Sequence, residues 1–238
     1  RERLYNICEL AAQFFEKQLG RGTGGKKAKE YLLSRTISEE SIEKKRLGWA
    51  PDSWQGLSDF LVSKGFTKED IRKSGLALQS GKGKHYDRFR GRVMFPIFNS
   101  QSQVIGFGGR ILKKDAKTAK YLNISNNLIY DKSKVLYGLE EAKVGIRKKD
   151  FVILAEGYVD VILGHQMGFN NFVSTSGTAL TPTQLNILKR YTDNLYLAFD
   201  MDFAGEQATK RAIDLAQTQQ FELKIVKLPG GHDPADII

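Results

Sequence analysis

Six carboxylates fall where apolar runs of this sequence end. Glu156 follows the run Phe151–Ala155, with Asp160 one helical turn beyond it, and Asp200 and Asp202 follow Leu195–Phe199. A third run, Glu222–Leu228, leads through Pro229-Gly-Gly-His232 to Asp233 and Asp236. Carboxylates gathered in a small space raise one another's pKa unless an opposite charge compensates them, and divalent cations supply that charge. The chain has one cysteine, Cys8, and three scattered histidines, His85, His165 and His232. No disulfide can form within it and no thiolate zinc cluster can assemble, so hard oxygen donors point to Mg²⁺ or Mn²⁺. A single aspartate at a strand-to-helix junction is more often a helix cap. Three junctions in agreement favour a metal-binding edge.

These residues need a scaffold that delivers them together. In the second half, short apolar runs at Phe151–Ala155, Asn171–Thr175, Leu195–Phe199 and Glu222–Leu228 alternate with helical segments at Val159–Met167, Pro182–Tyr191 and Gly205–Gln217. That rhythm predicts a mostly parallel sheet with helices on its faces, and such sheets bind ligands beyond the carboxyl ends of their strands. Ser176-Gly177-Thr178, between a strand and a helix, offers either a plain turn or backbone N–H groups for a phosphate. The first half differs. Leu4, Ile7, Cys8, Ala11, Phe14 and Phe15 recur at helical spacing up to Gly20, and Arg21–Lys27 reads as a mobile Gly- and Lys-rich surface loop. Further helices follow over Ala28–Arg35 and from an N-cap at Ser38. Val93–Phe98 and Gln103–Ile111 then predict a hairpin.

Charge divides at the same place as the rhythm. The net charge is +10, with 25 basic and 14 acidic residues in 1–131 and 12 and 13 in 132–238. A basic half suggests a polyanionic partner. Arg88, Arg90 and Arg92 alternate, which on a strand would set all three on one face, and Arg110 ends the neighbouring run. Trp49 and Trp54 read as core residues rather than base-stacking platforms. No run of eighteen apolar residues occurs, so a soluble cytosolic chain without membrane contact is expected.

Ala155-Glu-Gly-Tyr-Val-Asp160, Phe199-Asp-Met-Asp-Phe-Ala-Gly205 and Gly231-His-Asp-Pro-Ala-Asp236 resemble the three acidic motifs of the Toprim domain. That domain is shared by DnaG-type primases, type IA and II topoisomerases and some nucleases. Upstream, Tyr86-Asp-Arg-Phe-Arg-Gly-Arg-Val-Met-Phe-Pro-Ile97 and Val104-Ile-Gly-Phe-Gly-Gly-Arg110 resemble the signature of the primase N-terminal catalytic subdomain. Lys120-Tyr-Leu-Asn123 and Leu136-Tyr-Gly-Leu139 extend the likeness to nearly the whole chain. The bacterial DnaG-type primase core is the family resembled.

The resemblance implies an α+β N-terminal subdomain over 1–131 that handles template and nucleotide. An α/β Toprim subdomain, Rossmann-like with a mostly parallel sheet, follows over 132–238. It implies a DNA-directed RNA polymerase that makes short RNA primers on single-stranded DNA from nucleoside triphosphates. Glu156, Asp200 and Asp202 would be catalytic and, with Asp233, would hold Mg²⁺, for which Mn²⁺ can substitute; Asp160 and Asp236 would orient or remain peripheral. Arg35, Arg88, Arg90, Arg110, Lys120 and Lys132 match the positions that handle nucleic acid or nucleotide.

The family's zinc-binding and helicase-binding domains lie outside this sequence, as does the helical subdomain that usually completes the core. The expectation is therefore a monomeric, zinc-free fragment of a cytoplasmic replisome enzyme whose helicase contact lies elsewhere. Asp233 and Asp236 stand three apart where many relatives have acidic residues two apart. A Toprim nuclease or topoisomerase would share the acidic edge, although no tyrosine is marked as a nucleophile. A non-enzymatic single-strand-binding module would explain only the basic half.

Overall fold

The computed structural model describes residues 1–81, 83–113, 118–177, 179–199 and 203–226, with the side chains of 203–206 and 208 excepted. The chain forms two compact units, Arg1–Asp131 and Lys132–Ile238.

In the first unit the elements run α1 (Glu2–Gln18), α2 (Gly22–Ser34), α3 (Glu39–Lys44), β1 (Gly48–Ala50), α4 (Gly56–Ser63), α5 (Lys68–Lys73), β2 (Ala77–Gln79), β3 (His85–Asp87), β4 (Arg92–Phe98), β5 (Val104–Ile111) and β6 (Tyr121–Asn123). An antiparallel sheet in the order β1-β4-β5-β6 is packed by α1, whose Leu4, Ile7, Cys8, Ala11 and Phe15 are buried at the predicted helical spacing. Phe15 meets Phe107 of β5 edge-on at 5.4 Å between ring centroids. The predicted hairpin is β4 and β5, paired from Arg92–Ile111 to Phe98–Val104. One expectation fails at its start. Arg21–Lys27 is not a loop: the helix begins at Gly22, six residues ahead of the predicted Ala28. Glycine propensity argued against helix there, and packing overrides it: a Cβ at Gly25 would stand 2.2 Å from the carbonyl oxygen of Gln18.

The second unit runs α6 (Leu139–Lys149), β7 (Val152–Ala155), α7 (Tyr158–Gln166), β8 (Phe172–Ser174), α8 (Pro182–Leu188), β9 (Asn194–Leu197), α9 (Phe203–Thr218) and β10 (Glu222–Ile225). Its sheet has the order β10-β9-β7-β8 with every pairing parallel, which is the α/β arrangement the alternation predicts. β7 is buried at all four positions, as a strand covered on both faces must be. Leu154, Val173, Leu185, Leu188, Leu195 and Leu197 are all within 1% of complete burial and form its core with Ala212 and Ala216 of α9. Each such leucine contributes about 1.5–3 kcal/mol by leaving water.

Candidate active site and nucleic-acid interface

Parallel pairing sends the carboxyl ends of the four strands of the second unit to one edge. Glu156 sits there, directly after the inner strand β7. Its backbone carbonyl accepts from the Gly177 N–H at 3.1 Å, which ties the β7 exit to the turn after β8. That bond uses the Gly177 N–H considered above for a phosphate. β9 runs alongside, Leu154 opposite Leu197, and the Ala198 N–H donates to the Leu154 carbonyl at 2.9 Å. The Val226 N–H donates to the Leu197 carbonyl at 2.8 Å, so β10 runs to the same edge. Asp200, Asp202, Asp233 and Asp236 lie outside the described residues, as does His232.

Among the described residues no group of three or more His, Cys, Asp and Glu side chains is placed to hold a metal. The described part offers a divalent cation one hard oxygen donor, Glu156, at the edge toward which the three strands preceding the acidic motifs run. That donor type fits Mg²⁺ or Mn²⁺. Asp160 has a different place: it is 6% exposed, and its Oδ2 accepts the Gly157 N–H at 2.9 Å, completing the first turn of α7. It therefore fixes the Glu156-Gly157 corner from behind.

Lys132 also belongs to this unit. Its side chain is exposed, while its carbonyl accepts from Gln184 Nε2 at 3.2 Å. Gln184 also reaches the Val135 carbonyl at 2.8 Å, and Thr181 Oγ1 donates to that of Ser133 at 2.7 Å, so the capped start of α8 anchors 132–135.

In the first unit the arginines do not share one strand face. β4 starts only at Arg92, and the chain between β3 and β4 turns at Gly91, whose φ of +61° suits glycine. Arg92 is 4% exposed and donates to the carbonyls of Gly109, Ala119 and Lys120. Arg88 is half-buried and donates through Nε and Nη2 to the Asn123 carbonyl at 3.1 and 2.8 Å. Burial pulls both guanidinium pKa values down from their ordinary range. These two arginines hold the segment 119–123 in place; spacing alone had put them beside Arg90.

Arg90 faces a different environment. Its guanidinium lies 4.2 Å from the Trp54 ring centroid and 5.3 Å from that of Tyr86, and Nη1 donates to the Asp87 carbonyl. Trp54 is 65% exposed, which corrects the expectation that it is core; Trp49, at 7%, is core. Arg110, at the end of β5, stacks 4.1 Å over Tyr31 and 5.9 Å from Tyr121, and Lys120 stands 5.9 Å from Tyr121. Arg35 caps α2 one turn after Tyr31, with its N–H on the Tyr31 carbonyl.

Sequence reasoning missed Asp87. Buried at 2% exposure, it accepts from the N–H groups of Leu57 and Ser58 and the Ser58 hydroxyl, and its own N–H donates to the Trp54 carbonyl at 2.7 Å. Burial raises its pKa despite those bonds. A lone acid between aromatic and basic residues in Tyr86-Asp-Arg88 was the available signal.

The second unit is an all-parallel α/β sheet with a glutamate at the exit of an inner strand, and residues 153–238 match the Toprim-like family model, which makes it a Toprim-like domain. Residues 14–143 match the model for the DNA primase catalytic core, N-terminal domain. The chain belongs to the DnaG primase catalytic-core family. It is 41% identical over 237 residues to a DNA primase of Clostridium acetobutylicum, covering 100% of this chain and 39% of that protein. The RNA polymerase domain of Mycobacterium tuberculosis primase DnaG superimposes with a TM-score of 0.91 at 34% identity, covering 100% of this chain and 79% of that one. A DnaG primase catalytic domain solved bound to single-stranded DNA gives 0.87 at 33% identity, with 100% and 76% covered. The chain thus spans well under half the length of the curated relatives it matches.

Proposed function

We propose that this chain is the catalytic core of a primase, a DNA-directed RNA polymerase that makes short RNA primers on single-stranded DNA for replication. The observation that carries the reading is the place of Glu156 at the exit of an inner parallel strand, in a chain whose other half belongs to primase cores. In the proposed division, 132–238 performs the chemistry and 1–131 holds template and nucleotide.

In nucleotidyl transfer, the primer 3′-hydroxyl oxygen bonds to the α-phosphorus of a ribonucleoside triphosphate while the α–β bridging bond breaks and pyrophosphate leaves. Glu156, Asp200, Asp202 and Asp233 would hold one or two Mg²⁺ ions, or Mn²⁺ in their place, supplying charge neutralisation at the attacking and leaving oxygens. Asp160 keeps the Glu156 corner in register through the Gly157 N–H. Asp236, three residues after Asp233, assists less. Arg90, Arg110, Lys120, Arg35 and Lys132 meet phosphates, Arg88 shapes the segment 119–123, and Trp54 offers a face for a template base.

The substrates are template, primer and nucleoside triphosphates, and the partner of the longer protein is a replicative helicase. No described helix is long and apolar enough to cross a membrane, and the proposed location is the bacterial cytoplasm, with the chain monomeric. The test is incorporation of labelled ribonucleotides on single-stranded DNA with Mg²⁺ or Mn²⁺. Wild type should give primers, and Glu156→Gln should give none at equal or slightly higher DNA affinity. DNA binding without product under either ion would instead favour a single-strand-binding module. Synthesis undiminished in Glu156→Gln would overturn the assignment of the centre.

A further inference from the structure

A cavity of about 630 Å³ opens in the first unit where α2 begins. Arg21, Gly24, Lys27, Trp49, Asp52 and Lys113 are among the residues that line it. Its volume lies in the range of sites that take a nucleotide-sized molecule.

Three features of this cavity favour an anion. The first is the helix start. α2 has thirteen residues, no side chain caps its N-cap Arg21, and its first turn holds no acid. The N–H groups of Gly22, Thr23 and Gly24 precede the first donor of the helix ladder, the Gly25 N–H, which donates to the Arg21 carbonyl. A helix start of this kind carries a partial positive charge.

The second feature is independent of the helix. Trp49 is 93% buried, being 7% exposed, yet no hydrogen bond among the described residues takes up its indole N–H. Its pyrrole edge faces Gly24: a Cβ built on that glycine would come 3.1 Å from Nε1 and 3.0 Å from Cζ2. Only glycine leaves that edge open at this position. An indole N–H with no acceptor among the described residues can donate to a ligand oxygen in the cavity.

The third feature is the rim. Arg21, Lys27 and Lys113 bring three cations against the one carboxylate of the lining, Asp52, and Lys113 pairs with Asp52 at 2.9 Å. The surplus is positive.

We propose that this cavity seats the phosphate groups of a small phosphorylated molecule of nucleotide size, such as a nucleoside diphosphate, with oxygens on the α2 N–H groups and the Trp49 indole. The proposal stands apart from the primase reading: Glu156 and the acidic motifs take no part in it. Because Gly91 also lines the cavity, next in sequence to Arg90, the competing source of phosphate is a nucleic-acid backbone crossing this surface.

The chain's two tryptophans make the test direct, since each gives one indole signal in a ¹H–¹⁵N spectrum and Trp54→Phe assigns them. The probes are inorganic pyrophosphate, a nucleoside diphosphate, and a single-stranded oligonucleotide without terminal phosphate, all free of divalent metal. The expected result is a saturable shift of the Trp49 indole signal with the first two, and an affinity loss of about tenfold or more in Arg21→Glu and in Lys27→Glu at unchanged melting temperature. A Trp49 signal that stays still at millimolar pyrophosphate overturns the proposal. So does an affinity indifferent to both charge reversals. A shift produced by the oligonucleotide alone would assign the phosphate to nucleic acid and remove the small-molecule site.

Discussion

The guanidinium of Arg90 lies on the ring of Trp54, 4.2 Å from its centroid, with Trp54 still 65% exposed. An arginine so held keeps its charge for a phosphate, while the outer face of the indole remains open to a base. Trp54→Ala should therefore weaken single-stranded DNA binding by about five- to tenfold, near the lower end of the roughly 1–3 kcal/mol that base stacking contributes. Thermal stability should barely move, because little of the ring is buried. Fluorescence anisotropy with a labelled oligonucleotide measures the first and calorimetry the second. Unchanged DNA affinity would leave the pair a surface ornament.

Arg110 is held between rings as well, 4.1 Å from Tyr31 and 5.9 Å from Tyr121. If its charge meets a backbone phosphate, Arg110→Gln should lower the slope of log affinity against log salt by about 0.7, the value for one contact on a single strand. Arg92→Gln should behave otherwise, since its guanidinium bonds among the described residues go to backbone carbonyls. It should lower the melting temperature and leave the slope alone. Equal slopes for wild type and Arg110→Gln would remove Arg110 from the interface.

What the sequence made legible, and what it did not, follows from how local each signal is. The buried run Val152–Ala155 and the carboxylate after it are local features, and the strand, its parallel neighbours and the position of Glu156 were predictable from them. Helical spacing in α1 was legible for the same reason. The start of α2 was not, because its glycines are selected by Gln18 and Trp49, residues remote from the helix interior. Arg88, Arg90 and Arg92 looked equivalent in alternation; Gly91 breaks the strand between them, and the carbonyls that capture Arg88 and Arg92 come from residues 109–123. Pairing at that separation leaves no trace in spacing.

A partly buried clamp gives a pH dependence with a defined sign. Arg46 donates to both carboxylate oxygens of Glu9 at 2.9 and 2.8 Å and through Nε to Glu16 at 2.6 Å. The hydrogen bonds from Arg46 hold the Glu9 carboxyl below its ordinary 4.5. A depressed folded-state value means stability that is fully present above the unfolded value and is lost as pH falls through the folded one. The stability difference between wild type and Glu9→Gln should thus be constant above about pH 5 and shrink as pH drops below 4.5. Because Glu9 is 43% exposed, solvent screening limits the plateau to about 1 kcal/mol. Urea unfolding at several pH values checks it; a difference that grows toward acid would reverse the sign.

Asp160 provides the sharpest separation between holding a corner and performing chemistry. Its carboxylate is buried on the Gly157 N–H at 2.9 Å, one residue from Glu156. Asp160→Ala leaves that donor without its acceptor, so the second unit should lose about 1–3 kcal/mol. Nucleotide addition should fall through displacement of the Glu156 corner, whereas Glu156→Gln should abolish addition at nearly unchanged stability. Asp160→Asn discriminates further: its amide oxygen can still accept from Gly157, so stability and much of the activity should return. If Asp160 instead met the cation directly, loss of its charge would be the damage, and Asp160→Asn would be as inactive as Asp160→Ala despite recovered stability. Primer synthesis and thermal unfolding, measured on the three variants together, distinguish the two roles.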